Sequence, residues 1–598
     1  MKKIILLLPF LCFVFVLFSQ TPSKYWIEFK DKKGTPYSID KPWEFLSQRA
    51  IELRKSHDIS IDERDLPVNP DYVNMVLALD STARCFTKSK WMNGITVYAE
   101  REDMKQAVEQ LPFVKYVETT IRMKEPEPPQ EPEYQFPAVA DDVRFSYEDD
   151  IRKYNDFDYG LASIQVSINN VQWLHRLGYR GEGIRMMILD GGFQNIDTIS
   201  CFKSLREDNR LLGARNLVQP EKDPMRKHTH GTMVLSCIAS YLPNKLVGTA
   251  PMVEVFVCQT EDSRSENRIE EDNWVAGLEY ADSLGCQVLN SSLGYTTFDD
   301  TINQRTYQDL DGNTSRASRA ATIAASKGLL ICNSAGNEGG KKWNYIGAPA
   351  DANDILTVGA VNTGGKRAFF SSFGPTADGR TKPDACAVGR NTFLSTPTGV
   401  ITVANGTSFS SPMLSGMVAC LWQAFPNKTN YQIMDAVRKA GDRYPADVPG
   451  LSNLSLPLDN DNGYGYGVTN FLKAYNILKS GDQDSHIVLI NDARTYSVTK
   501  QIDFLVRNSL SSENYNQIEV LATQVNFKSS ELVLGSTKKL KVKNVLKKTN
   551  YANNELLCHS VTLPSVKKNS RYSTYLIEIV VDGVKTSFII GQKKPEGF

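Results

Sequence analysis

The chain has 598 residues, 41% of them hydrophobic and 23% charged, with 68 Lys+Arg against 68 Asp+Glu for a formal net charge of zero. That length is too great for one hydrophobic core and points to two to four domains. The even charge balance excludes the basic excess expected of a nucleic-acid binder, and the composition is that of a globular protein.

At the N-terminus, Lys2 and Lys3 precede the apolar run Ile4 to Phe18, and residues 1–20 read as an export signal cut near Ser19 or Gln20. The run is interrupted by Pro9, and no stretch of the chain approaches the roughly 20 apolar residues of a membrane-spanning helix. An uncleaved anchor is the competing reading. Cys12 lies in the middle of the run, which speaks against a lipid-modified terminus. Export implies a secreted protein, extracellular or at the cell surface, with the periplasm as the alternative. Disulfides could form there, yet removal of Cys12 from the ten cysteines leaves an odd number without repeated short spacings. Cys237, Cys332 and Cys420 sit in apolar runs and read as buried free thiols, and no Cys/His cluster has zinc spacing.

Residues 21–123 read as a small α+β unit. Tyr25 to Phe29, Gly94 to Tyr98 and Val114 to Val117 are strand-like, with a helix through Asp103 to Gln110 between the last two. Residues 124–144 contain the Glu, Pro and Gln run Glu125 to Glu133, which reads as an exposed linker. Over 145–481, apolar runs at Ile184 to Leu189, Gln287 to Asn290, Leu329 to Cys332 and Ile355 to Val358 alternate with helical stretches. This predicts an α/β domain, a doubly wound, mainly parallel sheet with helices on both faces. Residues 482–598 read as a C-terminal β-sandwich, with a hairpin formed by Tyr575 to Val581, Asp582-Gly583 and Val584 to Ile590.

Three segments of the α/β region carry chemistry. Asp190 closes the strand-like run Ile184 to Leu189 and precedes Gly191-Gly192, which puts a carboxylate where open α/β sheets hold their ligands. Taken alone, it reads as a turn residue. His228-Thr229-His230-Gly231-Thr232 precedes Val234, Cys237, Ile238 and Tyr241 at helical spacing, so a histidine stands at a helix entrance, with Gly231 leaving room for a substrate. Spacing leaves His228 and His230 as competitors. Gly406-Thr407-Ser408 leads into a helix with Leu414, Met417, Val418, Leu421, Ala424 and Phe425 on one face and Pro412 in its first turn. A serine there has its Oγ near the positive end of the helix dipole, although the serines could simply cap the helix.

Together these segments resemble the subtilisin-like serine proteases, the subtilases. The chain order Asp, His, Ser, the His-Gly-Thr of 230–232 and the Gly-Thr-Ser-x-x-x-Pro of 406–412 carry the resemblance, which covers about Gly160 to Ala474. It implies a serine endopeptidase with Ser408 as nucleophile, His230 as general base and Asp190 as its partner. It also implies Asn337, within Asn333 to Gly339, as oxyanion donor, and Ser292-Leu293-Gly294, Ala335, Gly336 and Gly347 as substrate-binding residues. No cofactor or metal is implied for the chemistry. Asp459 to Gly463 could supply oxygens to a structural calcium but lacks the rest of a recognised loop. Gly191 stands where the family usually has Thr or Ser. Lys24 to Glu118 resembles a subtilase propeptide, which assists folding and blocks the site until the linker is cut; a permanent accessory domain is the alternative. Residues 575–592 loosely resemble C-terminal sorting domains, which would make secretion machinery a partner beside protein substrates. Two other functions stay open: an esterase-type acyl hydrolase with the same three residues, and a catalytically silent surface binding protein.

Overall fold

The computed structural model describes residues 23–122, 159–299, 304–443 and 463–480, and in the C-terminal part 487–489, 501–506, 518–528, 531–548, 555–564, 572–581 and 584–593. The export signal, the Pro/Glu linker and Asp459 to Asn462 of the calcium reading lie outside these residues.

The N-terminal region forms an antiparallel sheet of β1 (Ser23–Phe29), β2 (Arg84–Ser89), β3 (Gly94–Ala99) and β4 (Val114–Arg122), in the order β2-β3-β1-β4. Alternate residues of β1 (Tyr25, Ile27, Phe29) join Val97 of β3, and they pack with helices α2 (Pro70–Leu77) and α3 (Met104–Glu109). The stretch between β1 and β2 also contains α1 (Gln48–Ser56), capped by the Ser47 side chain.

The central sheet has seven strands, all parallel: β5 (Arg185–Asp190), β6 (Leu211–Asn216), β7 (Glu254–Gln259), β8 (Val288–Ser291), β9 (Leu330–Ser334), β10 (Leu356–Val361) and β11 (Ala385–Val388). Their order is β11-β10-β9-β8-β5-β7-β6. Both faces of β5 are covered, which explains its unbroken apolar run. Met186 and Ile188 join one core with helices α4 (His230–Ala239) and α7 (Thr407–Ala424), while Met187 and Leu189 join another with α5 (Ile269–Ser283) and α6 (Arg316–Ser326). The chain winds first toward β6 and β7 and then back through β8 to β11, so the order reverses between β5 and β8. The crevice at the carboxyl ends of these two strands is where such sheets bind ligands.

Helix α7 corrects the sequence reading twice. It is not amphipathic: Ser410, Ser411, Ser415 and Cys420 are as fully buried as Leu414 and Met417. Moreover, the helix begins at Thr407, so Pro412 stands inside it and not in its first turn. Proline has no N–H to give to the carbonyl four residues back, which frees the Ser408 carbonyl for another donor.

The C-terminal part contains two four-stranded antiparallel sheets. One orders Ile487–Leu489, Gln501–Val506, Glu555–Thr562 and Val542–Lys548; the other orders Glu531–Leu540, Ile518–Lys528, Tyr572–Val581 and Val584–Lys593. Val581 pairs with Val584, as expected for the predicted hairpin. The eight cysteines from Cys85 to Cys420 are free thiols; seven of these are buried, and burial pushes Cys237 and Cys332 up as acids.

Candidate active site

Asp190 is the last residue of β5 and is fully buried, and His230 is the first residue of α4. The His230 Nδ1 lies 2.8 and 3.0 Å from the two Asp190 carboxylate oxygens. Where the subtilases usually have a hydroxyl, the Gly191 N–H donates to Asp190 Oδ1 at 2.8 Å, so the backbone steadies the carboxylate. The Gly231 N–H donates to the Gly192 carbonyl at 3.0 Å and ties the two loops together. A Cβ at Gly231 would stand 2.4 Å from that carbonyl and 2.7 Å from the Phe193 ring. Gly231 therefore makes room for the Asp190 loop, not for a substrate as its place in the sequence suggested. His228 has φ +60° and turns to the Ser263 hydroxyl, which leaves His230 as the histidine on Asp190. Burial acts to lower the His230 pKa, but the charge and hydrogen bond of Asp190 outweigh it and raise the pKa above 6.5.

Ser408 is the second residue of α7, where the helix dipole favours negative charge. Its carbonyl, freed by Pro412, accepts from the Ser292 hydroxyl at 2.9 Å, and its Oγ donates to the Ser292 carbonyl at 3.4 Å. The segment following β8 is thereby fastened to the start of α7. Among the described residues no hydrogen bond joins His230 to Ser408. The imidazole instead packs on Phe409, the next residue, with ring centroids 5.9 Å apart.

Asn337 Oδ1 accepts from the Thr407 N–H at 2.9 Å and the Thr407 hydroxyl at 3.0 Å. This orientation leaves both Nδ2 hydrogens for another acceptor. Gly336, at φ +102°, donates to Thr407 Oγ1 at 3.2 Å, and a Cβ there would meet Ser372 Oγ at 2.9 Å. Ala335 is buried and bonded to the Val358 carbonyl. Leu293 accepts from the Asn333 side chain at 3.1 Å, and after Gly294 the chain bridges Tyr295 to Ala348. Gly347 lies against Thr296, whose methyl would stand 2.7 Å from a Cβ at 347.

Sequence reasoning missed three residues here. Thr407 fixes the Asn337 amide. Asn290, at the end of β8, accepts from Ser411 and Ser415 of α7 at 3.0 and 2.9 Å. Glu261 lies on an open cleft of about 450 Å³ bounded by Asp190, His230, Leu293, Glu266 and Glu270. Burial, followed by the charges of Glu266 and Asp190, pushes Glu261 up to about 8 against the bonds from Tyr295 and Thr260. Burial and Asp299 push Glu266 up to about 7, and burial with Glu261 and Glu266 raises Glu270. Thr407 stands in the Gly-Thr-Ser motif itself; the other two carry no signal that the sequence alone reveals.

Comparison with known proteins matches residues 181–467 to the subtilase family and residues 24–134 to the peptidase S8 propeptide domain of Bacteroidota. Subtilisin E of Bacillus subtilis (strain 168) is 28% identical over 317 residues, covering 52% of this chain and 69% of the relative. The subtilisin of Bacillus pumilus is 29% identical over 282 residues, 46% of this chain and 88% of the relative. The crystal structure of a cold adapted subtilisin-like serine proteinase aligns with 49% of this chain and 88% of its own, at 20% identity and a TM-score of 0.36.

Proposed function

Because the chain belongs to the subtilase family of serine proteases and carries that family's propeptide domain, we propose that it is a secreted endopeptidase acting through Ser408, His230 and Asp190. The observation that carries this reading is the bond of His230 Nδ1 to the buried Asp190 at 2.8 Å, beside the helix start that holds Ser408. The bond fixes the tautomer in which Nε2 can accept a proton.

Ser408 Oγ attacks the peptide carbonyl carbon and gives its proton to His230 Nε2. The C–N bond then breaks, the amine leaves with that proton, and an ester to Ser408 remains. Water attacks this ester, His230 takes a proton from it, and the C–O bond breaks as the proton returns to Ser408. Asn337 Nδ2 and the Ser408 N–H donate to the oxyanion in both halves. No metal or cofactor enters these steps. The segment Ser292 to Gly294 pairs with the substrate backbone, which favours a peptide over a simple ester.

The N-terminal domain covers α5 through the pairs of Arg54 and Lys90 with Asp282 and α6 through that of Glu118 with Arg316, which supports its role as an inhibitory propeptide released by a cut in residues 124–144. The test is expression of the full chain beside Ser408→Ala. Wild type should shed its N-terminal domain and cleave casein, and the mutant should do neither. Identical behaviour of the two sinks the reading. For Asp190→Asn, kcat should fall by about 10⁴. The acid limb of the wild-type pH profile should have its midpoint above 6.5, because only neutral His230 accepts a proton; a midpoint below that value contradicts the pairing seen here.

A further inference from the structure

Asp190, His230 and Leu293 line the open cleft, so a peptide held between His230 and Ser408 extends along it. The same cleft is lined by Glu261, Glu266 and Glu270, together with Asp262 and Arg264. Glu270 is 2% exposed and accepts from the N–H groups of Asp262 and Asn267; Glu261 accepts from the Tyr295 and Thr260 hydroxyls. Among the described residues none of the three forms an ion pair. Their neighbours do: Asp262 with Arg264, Glu271 with Arg305 and Asp272 with Arg316. Carboxylates drawn out of water without a countercharge are costly, and a guest that brings the charge recovers that cost.

Resting on the protease reading above, we infer that this cleft selects substrates with a lysine or arginine side chain on the amino-terminal side of the scissile bond, received by Glu261, Glu266 and Glu270. The volume, about 450 Å³, accommodates a long side chain, and Leu293 offers apolar surface to its stem. The side of the bond follows from chain direction. Strand β4 ends at Arg122, whose backbone pairs with Ser23. The adjacent Lys24, its ammonium disfavoured by burial, is partly sustained by the charge of Asp262 on the cleft's acidic wall. The carboxyl end of β4 therefore stands toward the acidic lining of the cleft, and a substrate entering from that end presents the residues before its scissile bond to those carboxylates.

The test uses the matured protein and matched internally quenched peptides that differ only at the second to fourth residues before the scissile bond. Peptides with Arg or Lys should exceed their Gln counterparts in kcat/KM by on the order of tenfold, with Glu poorest and the gap closing at high salt. In Glu266→Gln and in Glu261→Gln/Glu266→Gln the gap should shrink, chiefly through KM. Glu266 is included alone because its side chain makes no hydrogen bond among the described residues whose loss would disturb folding. Equal rates, a preference for apolar side chains, or a basic preference that survives both variants overturns the inference while the protease reading stands. A wild type as inert as Ser408→Ala removes the protease reading itself.

Discussion

Helix α5 has buried carboxylates in two settings, and the two are satisfied in different ways. Toward the N-terminal domain, Asp272 accepts from Thr96, Glu279 from Ser89 and the Lys90 N–H, and Asp282 pairs with Arg54 and Lys90 at 2.8 Å each. Arg316 pairs with both Asp272 and Glu118 of β4 and has the Trp26 ring 5.2 Å away. Toward the cleft, Glu270 has only backbone donors, with Glu261 and Glu266 beside it. The same residue type on one helix thus serves as a docking surface where cations from another domain meet it, and stays electrostatically incomplete where they do not. The contrast separates a finished interface from an unfilled site.

The interface side can be broken most severely at Arg54. Arg54 is 2% exposed, and its guanidinium joins Asp65 to Asp282, with Lys327 completing the pairing of Asp65. Arg54→Ala leaves two buried carboxylates short of their countercharge, a change worth about 3–5 kcal/mol. In the Ser408→Ala chain, which cannot cut itself, the urea transition followed by tryptophan fluorescence should move to clearly lower denaturant. Trp26 and Trp91 of the N-terminal domain are both buried and report on it. An unchanged transition would mean that these ion pairs do not hold the domains together.

The cleft side should answer in the opposite direction. Glu261 and Glu266 hold their protons more tightly in the fold than in the unfolded chain, at about 8 and about 7. The folded state then binds more protons between the ordinary carboxyl range and those values, and stability is lost as pH rises through that window. Glu266→Gln removes a carboxylate, and in the Ser408→Ala background its stability relative to the parent should improve from pH 5 to pH 8. Asp65 is the reverse case. Burial opposes its ionisation, but Arg54 and Lys327 hold it well below the usual carboxylate range, so its contribution is present above that range and lost as pH falls. A variant series in which both sites drift with pH in the same direction would erase the contrast.

How far these features were legible in the sequence depends on the distance between partners. The strands of the parallel sheet were readable because each is buried on both faces and so appears as an apolar run; Arg185 to Asp190 differs from the expected Ile184 to Leu189 by one residue. The places of Asp190, His230 and Ser408 at element boundaries were readable because each sits in a short motif. Pro412 misled, because α7 starts at Thr407 after an N-cap at Gly406 that has no side chain to mark it. The two settings of α5 were not readable at all. Glu270-Glu271-Asp272 is a plain charged run, and the partner that distinguishes Asp272, Thr96, lies 176 residues away in sequence. Likewise, only the fold brings Thr407 to Asn337, 70 residues earlier.

The finest test of the contrast is Thr96→Val, which keeps shape and removes one donor from the interface. Thr96 is fully buried, and its hydroxyl donates to Asp272 at 2.9 Å. Burial lifts Asp272 to about 6, while Arg316 and Thr96 act to hold it down. An ionised buried carboxylate that loses a donor should cost about 1–2 kcal/mol, and a protonated one less, since it can itself donate. The destabilisation by Thr96→Val should therefore grow as pH rises through about 6, read as a widening gap between the urea midpoints of the two chains. A gap that stays constant with pH would mean that Asp272 does not change its protonation against Thr96. In that case Arg316 would hold Asp272 in one protonation state across that range, beside the pairs of Arg54 and Lys90 with Asp282 and the donors of Glu279.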